Sequence, residues 1–178
     1  MGSSAGYSAL DRDWNQIEEP TPDAKALVAA LKKRNAILVM AESCTAGMVA
    51  ARIAGVPGTS NVLAGSSVVY QVPTKSMWLG VPKASIDQFK AESPEITEAI
   101  TRGVLERTPH ATMAVGITGH LGPGAPKSKD GVVYGVIVNR TLEQATHRQH
   151  SLSSTGRVAR QVEAADWLIA RVLEALRS

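Results

Sequence analysis

The chain has 178 residues, 44% of them hydrophobic and only 4% aromatic, and its 19 basic and 16 acidic residues leave a net charge of +3. This length fits one domain, and the composition predicts an aliphatic core of buried parallel strands covered by Ala-rich helices. The net charge is small, and no block of Lys and Arg residues is interleaved with aromatic residues, so the sequence does not indicate a nucleic-acid partner. It is compatible with a small anionic substrate or with an ordinary soluble surface.

A single cysteine excludes an internal disulfide and is consistent with a reducing compartment. No apolar run approaches the roughly 20 residues that span a bilayer, and the N-terminus lacks the basic-then-apolar pattern of a signal peptide. We therefore expect a cytoplasmic protein with no membrane partner. Residues 1–21 show no clean period and are predicted to form a flexible segment before a single domain over residues 22–178.

In the first half of the chain, helical and strand patterns alternate. Thr21-Pro22-Asp23 predicts a helix start, because proline and an acid suit the first turn, and Lys32, Lys33 and Arg34 predict its end. The apolar run 36–40 predicts a buried strand. The next predicted elements are a helix after Gly47, a strand over 62–70 and a short helix over 73–79 that Gly80 ends.

In the second half, Ser93-Pro94-Glu95 predicts another helix start. The remaining predictions are strands over 112–117, 132–138 and 145–152, a glycine-rich loop over 118–131, and a last helix from about Arg157 to Leu176. The 145–152 strand is polar and is expected at a sheet edge; His147 and His150 within it point to opposite faces, so they form no metal site. This order predicts a three-layer α/β/α sandwich with a mixed, mostly parallel sheet of about five strands.

The turn Glu42-Ser43-Cys44-Thr45-Ala46-Gly47 follows a predicted strand and opens a predicted helix. A helix N-terminus offers unpaired N–H groups and a partial positive charge, so a phosphate, a carboxylate or an oxyanion would be stabilised beside Ser43 and Thr45. The simpler alternative is that one of these hydroxyls caps the helix. Glu42 could orient a hydroxyl or an amide, or could itself be a cap. Cys44 is a candidate nucleophile because helix N-termini lower thiol pKa values, although no histidine is tied to it by sequence.

Ser60, Tyr70 and Lys75 form a second candidate group. Ser60 follows Pro57-Gly58, Tyr70 ends a predicted strand, and Lys75 begins the next short helix. A lysine kept partly neutral by burial or by nearby cations can take a proton from a serine, and a tyrosine hydroxyl can relay it. The alternative is that Lys75 is one of the many solvated surface lysines.

The segment Thr118-Gly119-His120-Leu121-Gly122-Pro123-Gly124 would let backbone approach a ligand closely, or would be a flexible connector. It is neither a Walker motif nor a GxGxxG fingerprint, which argues against a redox enzyme with a dinucleotide cofactor. Arg157 and Arg160, near the start of the last helix, could clamp a phosphate with two hydrogen bonds or could face solvent.

The order of these motifs resembles that of the CinA C-terminal domain family, which includes the nicotinamide mononucleotide deamidases of the PncC type. The resemblance covers Pro22 to the C-terminus and rests on Ala-Glu-Ser-Cys-Thr-Ala-Gly, Val-Pro-Gly-Thr-Ser, Val-Val-Tyr-x4-Lys, Leu-Gly-Val, Thr-Gly-His-Leu-Gly-Pro-Gly and Gly-Val-Val-Tyr. It implies a three-layer fold, a homo-oligomer, and hydrolysis of the carboxamide of nicotinamide mononucleotide to nicotinate mononucleotide and ammonia. It implies a small-molecule nucleotide substrate and neither a cofactor nor a metal.

The resemblance also assigns residues to the reaction. Ser43, Ser60, Tyr70 and Lys75 would be the catalytic hydroxyls and base, and we expect Ser60 to be the nucleophile and Ser43 to orient the substrate, with the reverse left open. In this mechanism Lys75, assisted by Tyr70, removes the serine proton, backbone N–H groups of the turn hold the oxyanion, and water hydrolyses the acyl-enzyme. The expected substrate-binding residues are Glu42, Cys44, Thr45, Thr118, Gly119 and either Arg157 or Arg160.

Three segments depart from the family pattern. Ala46-Gly47 stands where the family usually has Gly-Gly, and Ser154-Thr155-Gly156-Arg157 replaces Gly-Asp-Arg. The loop from His120 to Gly131 is shorter and differs from the usual Thr-Gly-Ile-Ala-Gly-Pro and Lys-Pro-x-Gly segments. These differences leave open a divergent amide hydrolase acting on a related substrate, and a non-catalytic nucleotide-binding or regulatory protein of the same fold.

Overall fold

The computed structural model describes residues 19–142 and 144–177, so residues 1–18 of the predicted flexible segment lie outside it. Its helices are α1 (Pro22–Lys33), α2 (Met48–Ala54), α3 (Val72–Leu79), α4 (Lys83–Phe89), α5 (Pro94–Glu106) and α6 (Arg157–Arg177). Its strands are β1 (Leu38–Glu42), β2 (Leu63–Val68), β3 (Met113–Gly119), β4 (Val132–Asn139) and β5 (Ala145–Ser151). A 3₁₀ helix, Thr59–Asn61, precedes β2.

The described strands form one sheet in the order β2-β1-β3-β4-β5. β1 pairs in parallel with β2 and β3, whereas β4 is antiparallel to both β3 and β5. Four of these five strands therefore run in the same direction, and the predicted mixed, mostly parallel sheet is confirmed. As a consequence, β1, β2 and β3 end at the same edge, which we call the carboxyl edge of the sheet.

Helices cover both faces of this sheet. On one face the side chains of α1, α2 and α6 pack against residues such as Leu38 and Met40 of β1. On the other face the side chains of α3, α4 and α5 pack against Val39 and Ala41 of the same strand. Each fully buried Leu, Ile or Val contributes about 1.5–3 kcal/mol relative to its exposed state. The predicted three-layer sandwich is confirmed.

Two helix starts follow the predicted local chemistry. Thr21 caps α1 by accepting a hydrogen bond from the backbone N–H of Ala24 at 3.3 Å, and Ser93 caps α5 by accepting from Ile96 at 3.2 Å. In contrast, α4 was not predicted, because only Ile86 of this short helix is buried and the helix therefore has no periodic apolar stripe. The predicted boundaries of β1 and β3 also differ by two residues, since ladder pairing extends β1 to Glu42 and β3 to Gly119.

The polar strand β5 lies at the edge of the sheet, as predicted. Its two histidines contact opposite helical layers: the His147 Nε2 atom lies 2.7 Å from a carboxylate oxygen of Glu98 in α5, and His150 stacks on Trp167 of α6. Their predicted divergence is confirmed. No helix within the described residues is long and apolar enough to cross a membrane.

Candidate active site

Ser43 and Lys75 meet at the carboxyl edge of the sheet. Ser43 directly follows β1, and its backbone N–H donates to the carbonyl of Ile117 in β3 at 3.1 Å, which fixes the turn against the neighbouring strand. The Lys75 side chain is only 1% exposed. Its Nζ donates to Ser43 Oγ at 3.0 Å and to the carbonyls of Val69 and Tyr70 at 2.7 and 3.4 Å. The structure thus pairs a nearly buried hydroxyl with a buried amine.

The surroundings of Lys75 favour its neutral form. Burial lowers the pKa of the Lys75 ammonium below its ordinary value, and the negative charge of Glu92 partly opposes that effect. When Lys75 is neutral, its two remaining N–H groups can still bond to the carbonyls of Val69 and Tyr70. Its lone pair is then free to accept the proton of the Ser43 hydroxyl. This geometry suits a general base acting on a serine nucleophile.

Glu42 fills the anion site that the sequence predicts at the start of α2. Its carboxylate accepts hydrogen bonds from the backbone N–H groups of Gly47, Val49 and Ala50 at 3.0–3.1 Å. It also accepts from the hydroxyls of Thr45 and Ser66 at 2.7 and 3.0 Å. Of the two roles considered for Glu42, the structure therefore shows the cap. The expectation that Glu42 and Thr45 contact substrate is corrected, because both side chains are buried and bonded to each other.

Cys44 does not have the environment of a reactive thiol. Its side chain is buried, and burial raises the pKa of the thiol to about 12. The predicted lowering by a helix N-terminus is wrong, since α2 begins only at Met48 and Glu42 already neutralises its first turn. Cys44 borders the cavity beside Ser43 as a protonated, neutral residue.

Ser60 lies at the edge of the sheet opposite the Ser43–Lys75 pair. It is an exposed residue of the 3₁₀ helix Thr59–Asn61, which precedes β2. Since β1 and β2 are parallel and Leu38 pairs with Leu63, the start of β2 lies at the edge of the sheet opposite Ser43. The strand ends that the two serines flank are thus separated by the length of β1, about 16 Å at the usual rise of a strand. This geometry corrects the expectation that Ser60 shares a pocket with Lys75.

Tyr70 and Arg157 meet at the rim of the cavity. The Tyr70 side chain is 49% exposed, and its hydroxyl accepts a hydrogen bond from Arg157 Nη2. Arg157 Nη1 donates to the carbonyl of Gly122 at 2.6 Å. Lys75 contacts the Tyr70 carbonyl rather than its hydroxyl, so the predicted proton relay through Tyr70 is not formed in this structure.

The structure separates the two candidate arginines. Arg160 Nη1 and Nη2 donate to the carboxylate of Asp130 at 2.7 and 3.2 Å, and its Nε donates to the carbonyl of Ser154 at 3.0 Å. Arg160 therefore ties the glycine-rich loop to the start of α6. Arg157 lines both cavities described below, whereas Arg160 lines only the outer one and has its guanidinium paired with Asp130.

Two adjoining cavities form a cleft at this edge. The inner cavity measures about 220 Å³ and the outer one about 480 Å³. Both are bordered by the loop 121–125 and by Arg157. The further lining residues of the inner cavity are Ser43, Cys44, Tyr70, Glu92, Gly119 and His120. Those of the outer cavity are Lys127, Asp130, Thr155, Gly156 and Arg160.

Gly119 and Thr118 differ in their relation to this cleft. Gly119 borders the inner cavity, and a Cβ atom there would lie 2.6 Å from Val133 Cγ1, so only glycine fits. Thr118 occupies the position in β3 beside Ser43, but it is buried and its hydroxyl shares a 2.8 Å hydrogen bond with that of Thr97. The expectation that Thr118 faces the pocket is therefore corrected.

Glu92 and His120 line the inner cavity although sequence reasoning gave neither a role. His120 follows β3, and its position beside the β1 turn could have been inferred from the shared carboxyl edge. Glu92 gave no comparable signal, because α4, which precedes it, was not predicted. Within residues 19–142 and 144–177, no three His, Cys, Asp or Glu side chains are arranged so that they could hold a metal ion.

Comparison with curated proteins identifies relatives of this chain. A CinA-like protein of Myxococcus xanthus is 38% identical over 113 residues, which are 62% of this chain and 27% of that protein. A putative competence-damage inducible protein of Limosilactobacillus reuteri is 34% identical over 137 residues, which are 76% of this chain and 33% of that protein. The chain thus spans about a third or less of the length of these relatives.

Solved structures share the fold. A CinA superfamily protein from Klebsiella pneumoniae superposes with a TM-score of 0.81 at 23% identity, covering 87% of this chain and 96% of its own. A competence/damage inducible protein, CihA, from Agrobacterium tumefaciens gives 0.79 at 25% identity, covering 91% and 100%. The model of the CinA C-terminal domain family matches residues 21–174, a range that contains the whole sheet and the Ser43–Lys75 pair. This chain therefore belongs to the CinA C-terminal domain family.

Proposed function

We propose that this protein is an amidohydrolase that removes ammonia from the carboxamide of a pyridine mononucleotide, with nicotinamide mononucleotide as the expected substrate and Ser43 as the nucleophile. The observation that carries this proposal is the 3.0 Å contact between Lys75 Nζ and Ser43 Oγ beside a cavity. A buried lysine bonded to a serine hydroxyl has little structural purpose, since burying an amine costs free energy. The same pair can, however, generate a serine nucleophile without histidine.

The reaction has two halves. As Ser43 Oγ attacks the carboxamide carbon, its proton moves to neutral Lys75, and the carbonyl electrons move onto the oxygen. The oxyanion then collapses, the C–N bond breaks, and Lys75 returns the proton to the nitrogen, so that ammonia leaves and an acyl-enzyme ester remains. In the second half, Lys75 takes a proton from water as the water oxygen attacks the ester carbon. The tetrahedral intermediate then collapses, the bond from carbon to Ser43 Oγ breaks, and Lys75 returns the proton to Ser43 Oγ, so that the serine hydroxyl and neutral Lys75 are regenerated and the acid is released.

The geometry of the turn restricts which backbone N–H groups can donate to the oxyanion. The N–H groups of Gly47, Val49 and Ala50 bond to Glu42 and so are not free for substrate. The N–H groups of Cys44 and Thr45 lie beside the Cys44 thiol, which is a weak acceptor. We assign the oxyanion to these two amides, because they directly follow Ser43 in the turn and are not among the donors to Glu42.

The outer cavity suits the phosphate of a nucleotide. It is bordered by Arg157, by Lys127, and by Thr155 and Gly156, which directly precede α6, a helix of 21 residues. A helix N-terminus and an arginine together favour an anion. Since the inner and outer cavities adjoin, a substrate with its carboxamide at Ser43 can place its phosphate in the outer cavity.

The test is to incubate the purified protein with nicotinamide mononucleotide and to follow ammonia and the acid product. We expect release by the wild type and none by Ser43→Ala, with both variants binding the nucleotide. Release that persists in Ser43→Ala would contradict the mechanism. Tight binding by the wild type without any ammonia would instead support the nucleotide-binding, non-catalytic alternative.

A further inference from the structure

Glu92 is the single carboxylate among the described residues that line the inner cavity. Its side chain is 33% exposed, and it lies in the short connection between α4 and the cap of α5. His120 Nε2 lies 3.8 Å from Glu92 Oε2, which is longer than a hydrogen bond. The His120 ring therefore does not engage the Glu92 carboxylate in a hydrogen bond, and the carboxylate can act on whatever occupies the cavity.

The position of Glu92 brings its charge close to the reacting groups. It shares the inner cavity with Ser43, and its charge raises the pKa of Lys75 against the larger effect of burial. A space of about 220 Å³ is smaller than the 300–1,000 Å³ of pockets that hold whole drug-sized ligands. It fits one six-membered ring with its carboxamide. A ring whose carboxamide lies at Ser43 and that fills this cavity therefore shares it with Glu92.

We propose that Glu92 makes the inner cavity selective for a carboxamide carried on a positively charged ring, such as a pyridinium, over the same carboxamide on a neutral ring. This inference rests on the proposed function, since it assumes that the carboxamide binds at Ser43. The carboxylate attracts the ring cation across a partly desolvated cavity. Hydrolysis then creates a carboxylate on the ring, which Glu92 repels, so that the same charge also favours release of the product.

A different role for Glu92 has a different signature. If Glu92 acted only through Lys75, its removal would lower the pKa of Lys75 further and shift the pH profile equally for every substrate. Selection of a cation changes the ratio between substrates instead. The two roles are therefore separated by comparing a charged and a neutral substrate at a pH where the rate no longer depends on pH.

The experiment uses nicotinamide mononucleotide and its reduced 1,4-dihydro form, which has the same carboxamide, ribose and phosphate on an uncharged ring. The ratio of kcat/KM for the two compounds is measured in the wild type, in Glu92→Gln and in Glu95→Gln. Glu95 is exposed in the first turn of α5 and does not line the cavity, so it is a matched change of net charge. The intrinsic reactivity of each compound cancels when the ratios of the variants are compared.

We expect Glu92→Gln to reduce the preference for the charged ring about tenfold, and Glu95→Gln to leave it within about twofold. An unchanged ratio in Glu92→Gln, with both pH profiles shifted, would overturn the inference. The dissociation constants of both compounds are also measured in Ser43→Ala and in the double variant that adds Glu92→Gln. We expect the ratio of the two dissociation constants to change about tenfold when Glu92→Gln is added. An unchanged ratio would overturn the inference. If the wild type releases no ammonia, the proposed function fails while these constants still decide the role of Glu92.

Discussion

The two serine-bearing turns of this protein, residues 43–47 and 58–61, resemble each other in composition and differ in surroundings. Ser43 is 6% exposed, and the buried amine of Lys75 donates a hydrogen bond to its hydroxyl. Ser60 is exposed, and the neighbouring Thr59 hydroxyl merely donates to the carbonyls of Ile53 and Val56, which closes the turn. Small hydroxyl residues next to glycine therefore do not by themselves mark a reactive site.

The difference follows from where each turn lies on a parallel strand. Ser43 follows the end of β1, at the carboxyl edge of the sheet where β3 also ends and where the inner cavity lies. Ser60 precedes the start of β2, at the opposite edge. In open α/β sheets, ligands bind outside the carboxyl ends of the strands. Strand direction therefore decides which of two similar serines lies beside the buried lysine.

The largest effect should come from exchanging each serine for alanine. We expect Ser43→Ala to lower the kcat for ammonia release by at least about 10⁴-fold, because no other described hydroxyl bonds to Lys75. Ser60→Ala should retain the wild-type rate within about twofold, since an exposed hydroxyl without a base contributes nothing. Ammonia assays at saturating substrate measure both, and a large loss in Ser60→Ala alone would reverse the comparison.

Replacing Lys75 should lower the rate of ammonia release without weakening the binding of substrate. Lys75→Met is expected to lower kcat about 10³-fold, because general base catalysis is lost while the cavity lining is unchanged. The substrate dissociation constant should remain within about threefold, since Lys75 is not among the residues that line the cavity. Calorimetric titration measures binding, and a variant that keeps its rate would leave Ser43 without the feature that distinguishes it from Ser60.

The pH profile should report the same lysine. Burial lowers the pKa of Lys75, and only its neutral form accepts the Ser43 proton, so kcat/KM should rise with pH and fall as pH drops through that lowered pKa. The rise should occur below the range where an exposed lysine titrates. Glu92→Gln removes the charge that opposes the lowering and should move the rise to still lower pH. A kcat/KM that does not fall as the pH is lowered would exclude Lys75 as the base.

The Ser43 turn should also matter more for stability than the Ser60 turn. Glu42→Gln places an amide against donors that now bond to a carboxylate, and we expect it to reduce the free energy of unfolding by about 3 kcal/mol. Asn61→Ala, in the exposed 3₁₀ helix, should change it by less than about 0.5 kcal/mol. Urea unfolding followed by circular dichroism measures the free energy of unfolding of both variants. Similar losses in the two variants would show that the buried carboxylate of Glu42 does not stabilise the turn.

The smallest effect concerns the two arginines of the cleft. Arg157→Ala should raise KM for nicotinamide mononucleotide about tenfold and change KM for the riboside, which lacks the phosphate, much less. Arg160→Ala should raise both modestly and alike, because Arg160 holds Asp130 of the loop rather than a ligand. Steady-state kinetics with both substrates test this assignment. A phosphate-dependent loss in Arg160→Ala would move the anion site to the other arginine.

Much of the fold could be predicted because it depends on neighbours in the sequence. Thr21 and Ser93 cap helices within three residues of themselves, and the polarity of β5 marks it as an edge strand wherever it pairs. The motif around Ser43, with Tyr70 and Lys75 after it, was sufficient to indicate the family. These properties follow from local hydrogen bonding and from the period of apolar residues.

The chemistry of the site depended on contacts that no local pattern contains. Lys75 and Ser43 are 32 residues apart and Arg157 and Tyr70 are 87 apart, so only the packed sheet and helices bring each pair together. The sequence by itself determined the layers, the turn and the candidate residues. The tertiary structure alone decided that Ser43 rather than Ser60 lies beside Lys75, because strand direction sets which ends meet and burial lowers the pKa of that lysine.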